Sequence, residues 1–284
     1  RIELESKLII LCSSTIQTIR LLLSSEEKNN SNGLIDPSQS LGMSLMDHIS
    51  SCRFFTIPNE KNLNNLSTKN NNQLLSGAGS FFIPVGRDPS KNKNFVGGYG
   101  LWGGIDRFEP PDFLKKYKDT KMGFLIGHGE VLPNNQNTVT LSNCTDQYDM
   151  AVPHISMVWR ENEKKMVEEM NKVIELIINC GNGTILPVHE ILNIPFAKQI
   201  LNKSVAIKND APPPGYYIHE VGGAPMGSKK DNSVVDKWNR LWECKNVLVV
   251  DGACWPTSSW QSPTLTMMAI TKRACEKAII NLKG

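Results

Sequence analysis

The segment from Lys7 to Leu23 constrains the fold more than any other stretch of the chain. Lys7 to Leu11 is a short apolar run with the character of a buried strand. Ser13, Ser14 and Thr15 follow as a small-residue turn, and Ile16, Ile19, Leu22 and Leu23 then recur at helical spacing. A strand, a tight turn and a helix form the βα unit from which nucleotide-binding sheets are built. The same ingredients return at the far end, where Val247 to Val250 reads as a second buried strand and Thr266 to Leu282 as a final helix.

Between these ends the texture changes. SFFIPVG, NFVGGYGLWGG, MGFLIGHGEVLP, NTVTLSN and HISMVW, spread from about Gly77 to Trp159, are strands separated by turns, and they predict an antiparallel sheet. Glu161 to Cys180 is a strongly amphipathic helix, with Met166, Met170, Val173, Ile174 and Ile177 on one face. Glu161, Glu163, Lys164, Lys165, Glu168 and Glu169 read as its solvated face, and Gly181 and Gly183 stop it. Pro195 to Leu201 predicts a shorter helix opened by proline, and APPPG at 211–215 is a turn. Two polar tracts, 26–33 and the Asn-rich 59–73, offer almost nothing to bury. The fold class is therefore mixed α/β (α+β), with βα units at both ends and an antiparallel-sheet domain inserted between them.

Composition excludes several roles. The net charge of +3 comes without a basic stripe interleaved with aromatics, so no nucleic-acid partner is expected. The most apolar early stretch, Leu8 to Leu23, is interrupted by Ser13, Ser14, Thr15, Gln17 and Arg20 and is too polar to span a bilayer. The start, Arg-Ile-Glu-Leu-Glu, has no signal-peptide character, and its lack of Met points to an upstream part of a longer protein. Seven cysteines (Cys12, Cys52, Cys144, Cys180, Cys244, Cys254 and Cys275) lack a C-x-x-C pair or a histidine at ligand spacing. They read as reduced, mostly buried thiols of a cytoplasmic protein without a metal site.

Gly98, Gly100 and Gly103 match the dinucleotide fingerprint G-x-G-x-x-G, but the match is rejected. That motif needs a helix N-terminus directly after the glycines. Here Gly104 is followed by Ile-Asp-Arg-Phe-Glu-Pro-Pro, and Pro110-Pro111 forbids the helix. The stretch instead alternates like a twisted strand whose glycines permit close packing.

The chemistry concentrates in 219–236 and 246–279. His219 stands ahead of a Gly-Gly turn, where an imidazole is held on a rigid corner. The strand Val247 to Val250 ends in Asp251-Gly252, and ligands of α/β sheets bind at the carboxyl ends of strands. The chain then passes through Pro256 and Pro263 into a helix whose N-terminus carries partial positive charge.

The order of these pieces resembles the glucose–methanol–choline (GMC) family of FAD-dependent oxidoreductases. The carrying residues are His219, Gly222-Gly223, Met226-Gly227, Asp236, Asp251-Gly252, Pro256-Thr257 and Pro263-x-x-Thr266. The likeness extends to the N-terminus, where 7–23 is similar to the family's strand-and-helix segment and LGMSLMDHI (41–49) to its Gly-x-x-Leu-x-Asp-His segment. By this resemblance the chain corresponds to the second half of a full-length member. Residues 1–50 would form a partial FAD-binding domain, 51–215 a substrate-binding domain, and 216–284 a return to the FAD-binding domain that carries the catalytic histidine.

The resemblance implies an FAD-dependent oxidoreductase acting on CH–OH groups of a small alcohol or sugar. His219 would accept the hydroxyl proton while hydride passes to flavin N5. Ser13, Ser14, Asp251, Gly252 and Ala253 would contact the cofactor. Pro263 and Thr264 would lie beside its ring, with the last helix aimed at the flavin pyrimidine. Three departures stand out. The residue before Pro263, an Asn or His in the family, is Ser262, which donates a hydrogen bond but cannot act as a base. The family's Ala-Gly-Ala at the early strand end is Ser13-Ser14-Thr15. The phosphate fingerprint, which belongs to the family's N-terminus, is missing, so a preceding segment or a partner chain would supply it. The alternative reading is a non-catalytic binding or assembly subunit that keeps the fold without holding flavin alone. Asp236 is expected to fix its own loop, the pair Asp47-His48 to cap a turn, and His48, His128, His154 and His189 to be packing residues.

Overall fold

A computed structural model of the chain describes residues 4–26, 33–58, 79–86, 94–106, 120–186 and 211–283. The expected helix at 195–201, the Asn-rich tract, Pro110-Pro111 and His189 lie outside the described residues. In chain order the elements are β1 (Ile9–Leu11), α1 (Thr15–Ser24), β2 (Ile49–Pro58), β3 (Gly79–Gly86), β4 (Tyr99–Ile105), β5 (Thr120–Gly129), β6 (Thr138–Thr145) and β7 (Ala151–Ser156). They continue with α2 (Glu161–Cys180), β8 (Thr184–Ile185), β9 (Met226–Gly227), β10 (Val235–Asp236), β11 (Val247–Val249), a 3-10 turn (Gly252–Cys254) and α3 (Thr264–Lys283). They divide between two compact units.

The first unit comprises Arg1–His48, Glu130–Val158 and Pro214–Gly284. Its two chain ends meet as β1 and β11, parallel neighbours with Ile9 opposite Val247 and Leu11 opposite Val249. Leu248 and Val250 bury against Ala274 and Ala278 of α3, with Leu8 packed alongside. One carboxylate ties the end of β11 to α1. Asp251 Oδ2 accepts from Thr18 Oγ1 of α1 at 2.5 Å, and Asp251 Oδ1 accepts the Ala253 N–H that opens the 3-10 turn. Asp236 behaves as its spacing implied, since it accepts from the backbone N–H groups of Trp238 and Arg240 and from the Arg240 guanidinium.

The second unit, Ile49–Gly129 and Trp159–Pro213, is built on a five-stranded sheet in the order β3-β4-β5-β2-β8. Every pairing in it is antiparallel. The buried side chains Met166, Met170, Ile174 and Ile178 lie on one face of α2, which packs on β2 and β5. The G-x-G-x-x-G stretch is a sheet interior, with β4 paired on both edges. A Cβ on Gly103 would come within 2.8 Å of Phe81, Leu125 and the Phe124 carbonyl, so the glycine serves close packing.

The structure departs from the sequence reading in four places. β2 was not anticipated, because its Ser50-Ser51-Cys52-Arg53 run resembles a loop. It lies inside the sheet, where Ser51 Oγ reaches Asn171 Oδ1 at 2.5 Å and so satisfies a buried hydroxyl. The hairpin β6–β7 belongs to the first unit, which interrupts the expected 51–215 block. Arg20 of α1 accounts for part of this. It is nearly buried and donates to the carbonyls of Ala151 and Met150 and to the Asp146 carboxylate. Glu163 is buried rather than solvated, because its Oε2 accepts the Arg160 N–H and caps α2. Finally, the thiols are not mostly buried: Cys12, Cys144 and Cys180 are exposed, three others are intermediate, and Cys254 alone is buried. Among the described residues no helix is long and apolar enough to cross a membrane.

The Thr18–Asp251 contact gives the first test. Thr18 is fully buried, so Thr18→Val keeps its size while removing the closest donor to a buried carboxylate. We expect a loss of about 1–3 kcal/mol in the urea unfolding of the chain. Unchanged stability would show that the contact is not what joins α1 to the end of β11.

Candidate active site

His219 owes its place to backbone pairing. The segment 42–46 runs antiparallel to 221–223: Met46 and Val221 exchange hydrogen bonds of 2.8 and 2.9 Å, and Gly42 N–H donates to the Gly223 carbonyl at 2.7 Å. Stepping two residues beyond the Met46–Val221 bridge in this register brings His48 opposite His219. The corner that follows needs glycine. Gly222 and Gly223 have φ of +90° and +91°, and a Cβ would meet the Ser44 carbonyl oxygen at 2.3 Å and Ile19 Cδ1 at 2.2 Å respectively.

The two imidazoles touch. Their Nδ1 atoms are 3.0 Å apart, and the rings meet edge to face with centroids 4.8 Å apart. Tyr217 packs edge-on against His219 at 5.0 Å and lies 5.9 Å from His48. His48 Nε2 sits 2.6 Å from the Ser259 carbonyl oxygen. The loop bearing Ser259 is itself held where Ser258 Oγ donates to the Val131 carbonyl and accepts the Val131 N–H. Asp47 completes the cluster from below: its Oδ1 accepts the backbone N–H groups of both His48 (2.6 Å) and His219 (3.0 Å). Asp47 Oδ2 is buried without a hydrogen-bond partner. Asp47-His48 therefore does more than cap a turn, and sequence reading missed it. The signal that could have found it was the Asp-His pair of the 41–49 likeness.

The electrostatics follow from burial. Asp47 is almost wholly buried, and desolvation pushes its carboxyl up to about 6 against the pull of its two N–H donors. Burial also holds the His219 imidazole below the usual histidine value, the Glu220 charge opposing it. A half-buried His219 is thus neutral near neutral pH and able to take a proton.

The other expected site residues fall into two groups. Ser13, Ser14 and Thr264 are exposed, with Ser14 at φ +81° as the residue before α1 and Thr264 opening α3. Ser262 is exposed three residues beyond Ser259, so it shares the loop that touches His48. Pro263, Asp251, Gly252 and Ala253 are buried. The last three are also tied to the chain itself, because the carbonyls of Gly252 and Ala253 accept from the Gly222 and Ala224 N–H groups. A cavity of about 450 Å³ includes Asp47, Glu220, Leu45 and Met157 in its wall. The larger cavity, about 580 Å³ between Leu23, Asp36 and Val139, contains neither histidine and has no counterpart in the chemistry above.

Comparison with known proteins points the same way. The family model described as GMC oxidoreductase, for the C-terminal domain, matches residues 133–271, a span that includes His219, Asp251 and Ser262. Over that span the chain is similar to the C-terminal domain of the GMC oxidoreductases. Among curated GMC-type relatives, a 2-methyl-1,2-propanediol dehydrogenase of Mycolicibacterium austroafricanum is 26% identical over 96% of the chain and 48% of its own length. The fructose dehydrogenase large subunit of Gluconobacter japonicus is 23% identical over 98% of the chain and likewise 48% of its own length. The chain spans about half the length of these relatives. Solved structures share the GMC fold: pyridoxine 4-oxidase from Mesorbium loti (TM-score 0.54, 16% identity, 95% of this chain and 51% of that one) is one. Formate oxidase from Aspergillus oryzae RIB40, in which FAD is modified, is another (TM-score 0.60, 14% identity, 95% and 53%).

Asp47 offers a test by pH. Between about 3.8 and 6 the folded chain holds a proton that the unfolded chain has released, so stability falls as pH rises through this window. Asp47→Asn keeps the Oδ1 acceptor for both N–H groups and has no such proton to lose. From acid to neutral pH the variant should gain on the wild type by roughly 2–3 kcal/mol in denaturant midpoint experiments. A constant difference across that window would show that Asp47 is ionised throughout.

Proposed function

We propose that this chain supplies the base-bearing half of an FAD-dependent oxidoreductase that acts on CH–OH groups of a small alcohol or sugar. The observation that carries the reading is His219 itself. The imidazole is fixed by a glycine corner, a backbone hydrogen bond and a second imidazole, and burial keeps it unprotonated. An unprotonated imidazole suits removal of a hydroxyl proton. The diol and fructose dehydrogenases among the relatives support a CH–OH donor.

The residues present fit a flavin nucleotide. Parallel β1 and β11 end side by side, and ligands of such sheets meet the chain at those ends. There Ser13, whose hydroxyl pairs with Thr18, and Ser14 stand exposed at the start of α1, where helix N–H groups favour an anionic group. Thr264 opens α3 in the same exposed manner, while buried Pro263 and the self-satisfied Asp251-Gly252-Ala253 stretch shape the wall behind. Bound flavin supplies the acceptor for the substrate's hydride at N5. The chain's own contribution is to orient the alcohol, hold its proton on His219 and donate a hydrogen bond from Ser262 beside it.

The phosphate grip, in this reading, comes from polypeptide outside the chain as given. Ile9 and Ile10 on β1 are 42% and 43% exposed, an unusual state for a parallel strand, which is ordinarily covered on both faces. Further strands and a helix, from a preceding segment or a partner chain, would cover them.

The test is His219→Ala in the protein that carries this chain together with bound FAD. Flavin reduction by the alcohol should slow by about 10²- to 10⁴-fold while flavin content stays unchanged. A loss below about tenfold would remove His219 from the role of base. Ser262→Ala should slow the same step far less than His219→Ala, because a hydroxyl there assists without accepting the proton.

A further inference from the structure

The contact between the two histidines allows only certain proton positions, and these decide which nitrogen of His219 can work. A backbone carbonyl oxygen only accepts hydrogen bonds. With 2.6 Å between the Ser259 carbonyl oxygen and His48 Nε2, that nitrogen must carry its proton. In a neutral imidazole one nitrogen is a donor and the other an acceptor, so His48 Nδ1 is then an acceptor. The His219 atom that faces it is Nδ1, at 3.0 Å. We infer that His48 is a positioning residue that locks His219 in the Nδ1–H tautomer, leaving Nε2 as the nitrogen that receives the substrate proton.

The competing arrangement is an imidazolium at His48, with both nitrogens donating. It places a full charge on a residue that is only 4% exposed and beside the half-buried His219. Desolvation opposes that charge, and Asp47 makes no hydrogen bond to the ring: its Oδ1 accepts two backbone N–H groups and its Oδ2 has no hydrogen-bond partner. The neutral chain of donors, from His219 Nδ1 to His48 Nδ1 and from His48 Nε2 to the Ser259 carbonyl, satisfies each of these contacts without a buried charge.

The same geometry limits what His48 does in the reaction. When His219 Nε2 takes the hydroxyl proton, the O–H bond breaks and an N–H bond forms, and the positive charge appears on the His219 ring. His48 Nδ1 then accepts a stronger hydrogen bond from the charged ring. The Ser259 carbonyl on its other nitrogen is not a base and does not take a proton onward. His48 therefore orients and stabilises while the proton stays on His219. This assignment rests on His219 being the base, but the tautomer itself is measurable without any turnover.

The experiment is nitrogen NMR of the protein carrying this chain, with its histidines ¹⁵N-labelled in the ring and observed where both imidazoles are neutral. His219 should show a protonated Nδ1 and an unprotonated Nε2, and His48 the reverse. Signals assigned through His219→Ala and His48→Asn that place the proton on His219 Nε2, or that average over both nitrogens, would overturn the lock. His48→Asn retains an acceptor oxygen at the position of Nδ1, so the His219 pattern should persist. His48→Leu removes the acceptor and should release His219 to a mixture of tautomers. If the leucine variant does not fold, the wild-type and asparagine spectra still decide.

In the flavin-loaded protein, His48→Leu should slow flavin reduction by roughly tenfold with little change in substrate KM, as expected for a base only partly in the competent tautomer and without its acceptor. His48→Asn should restore most of that loss. Equal damage from both variants would overturn a tautomer role for His48. A correct spectrum combined with an active His219→Ala variant would leave the lock standing and remove the base assignment alone.

Discussion

The pair of backbone hydrogen bonds between Met46 and Val221 is the interaction on which the site depends. It joins segments separated by most of the chain and sets their antiparallel register. Register in a paired strand is all or nothing, since a slip of one residue turns every side chain to the opposite face. With Met46 against Val221, His48 and His219 meet, and Asp47 lies where a single oxygen can receive both of their backbone N–H groups. The glycines at 222 and 223 then let the chain turn at once, into space where any side chain would strike the Ser44 carbonyl or Ile19. Fixing the imidazole through the main chain suits a base that must keep its geometry while its charge changes.

A second constraint acts at the ends of the parallel strands. Asp251 is buried, and desolvation raises its carboxyl pKa against the hydrogen bonds from Thr18 and Ala253. Such a group is tolerated because both oxygens are occupied, one by α1 and the other by the 3-10 turn. Thr15 adds to the seam by donating to the Glu220 carbonyl at 2.5 Å, directly after His219. The turn at Ser13–Thr15, the strand end at Asp251 and the histidine corner are therefore one hydrogen-bonded assembly. Polar side chains at 13, 14, 15 and 18 make sense as parts of that assembly, whatever they contribute to a cofactor.

Much of this was legible in the sequence because it rests on local rules. α2 starts and stops where its apolar period and its following glycine place it, at Glu161 and Cys180. β1 and α1 follow from an apolar run, a small-residue turn and a helical pattern. His219 was visible because its neighbours Gly222 and Gly223 advertise a constrained backbone. What stayed hidden depends on contacts distant in sequence. β2 reads as polar until Asn171 is seen to satisfy Ser51, and β6–β7 joins the first unit through Arg20, more than a hundred residues away. Glu163 looked solvated because helical spacing does not reveal that its carboxylate caps its own helix. His48 was weighed as a single histidine, and only the register with Val221 shows that it is half of a pair.

That pairing changes how the substitution at Ser262 should be understood. A site with Asn or His before the proline places a second polar group beside the base, and a serine there is shorter. Here the loop that carries Ser262 also carries Ser259, whose carbonyl fixes the proton of His48 and, through it, that of His219. The loop thus acts on the base through its main chain as well as through its side chains. A carbonyl contribution is indifferent to residue type, so the loop can lose the larger side chain at 262 and still hold the tautomer proposed for His219. Under the proposed mechanism the identity of residue 262 would tune the rate, whereas the position of the Ser259 carbonyl, secured by the paired hydrogen bonds between Ser258 and Val131, would decide whether the proposed base is correctly protonated at all.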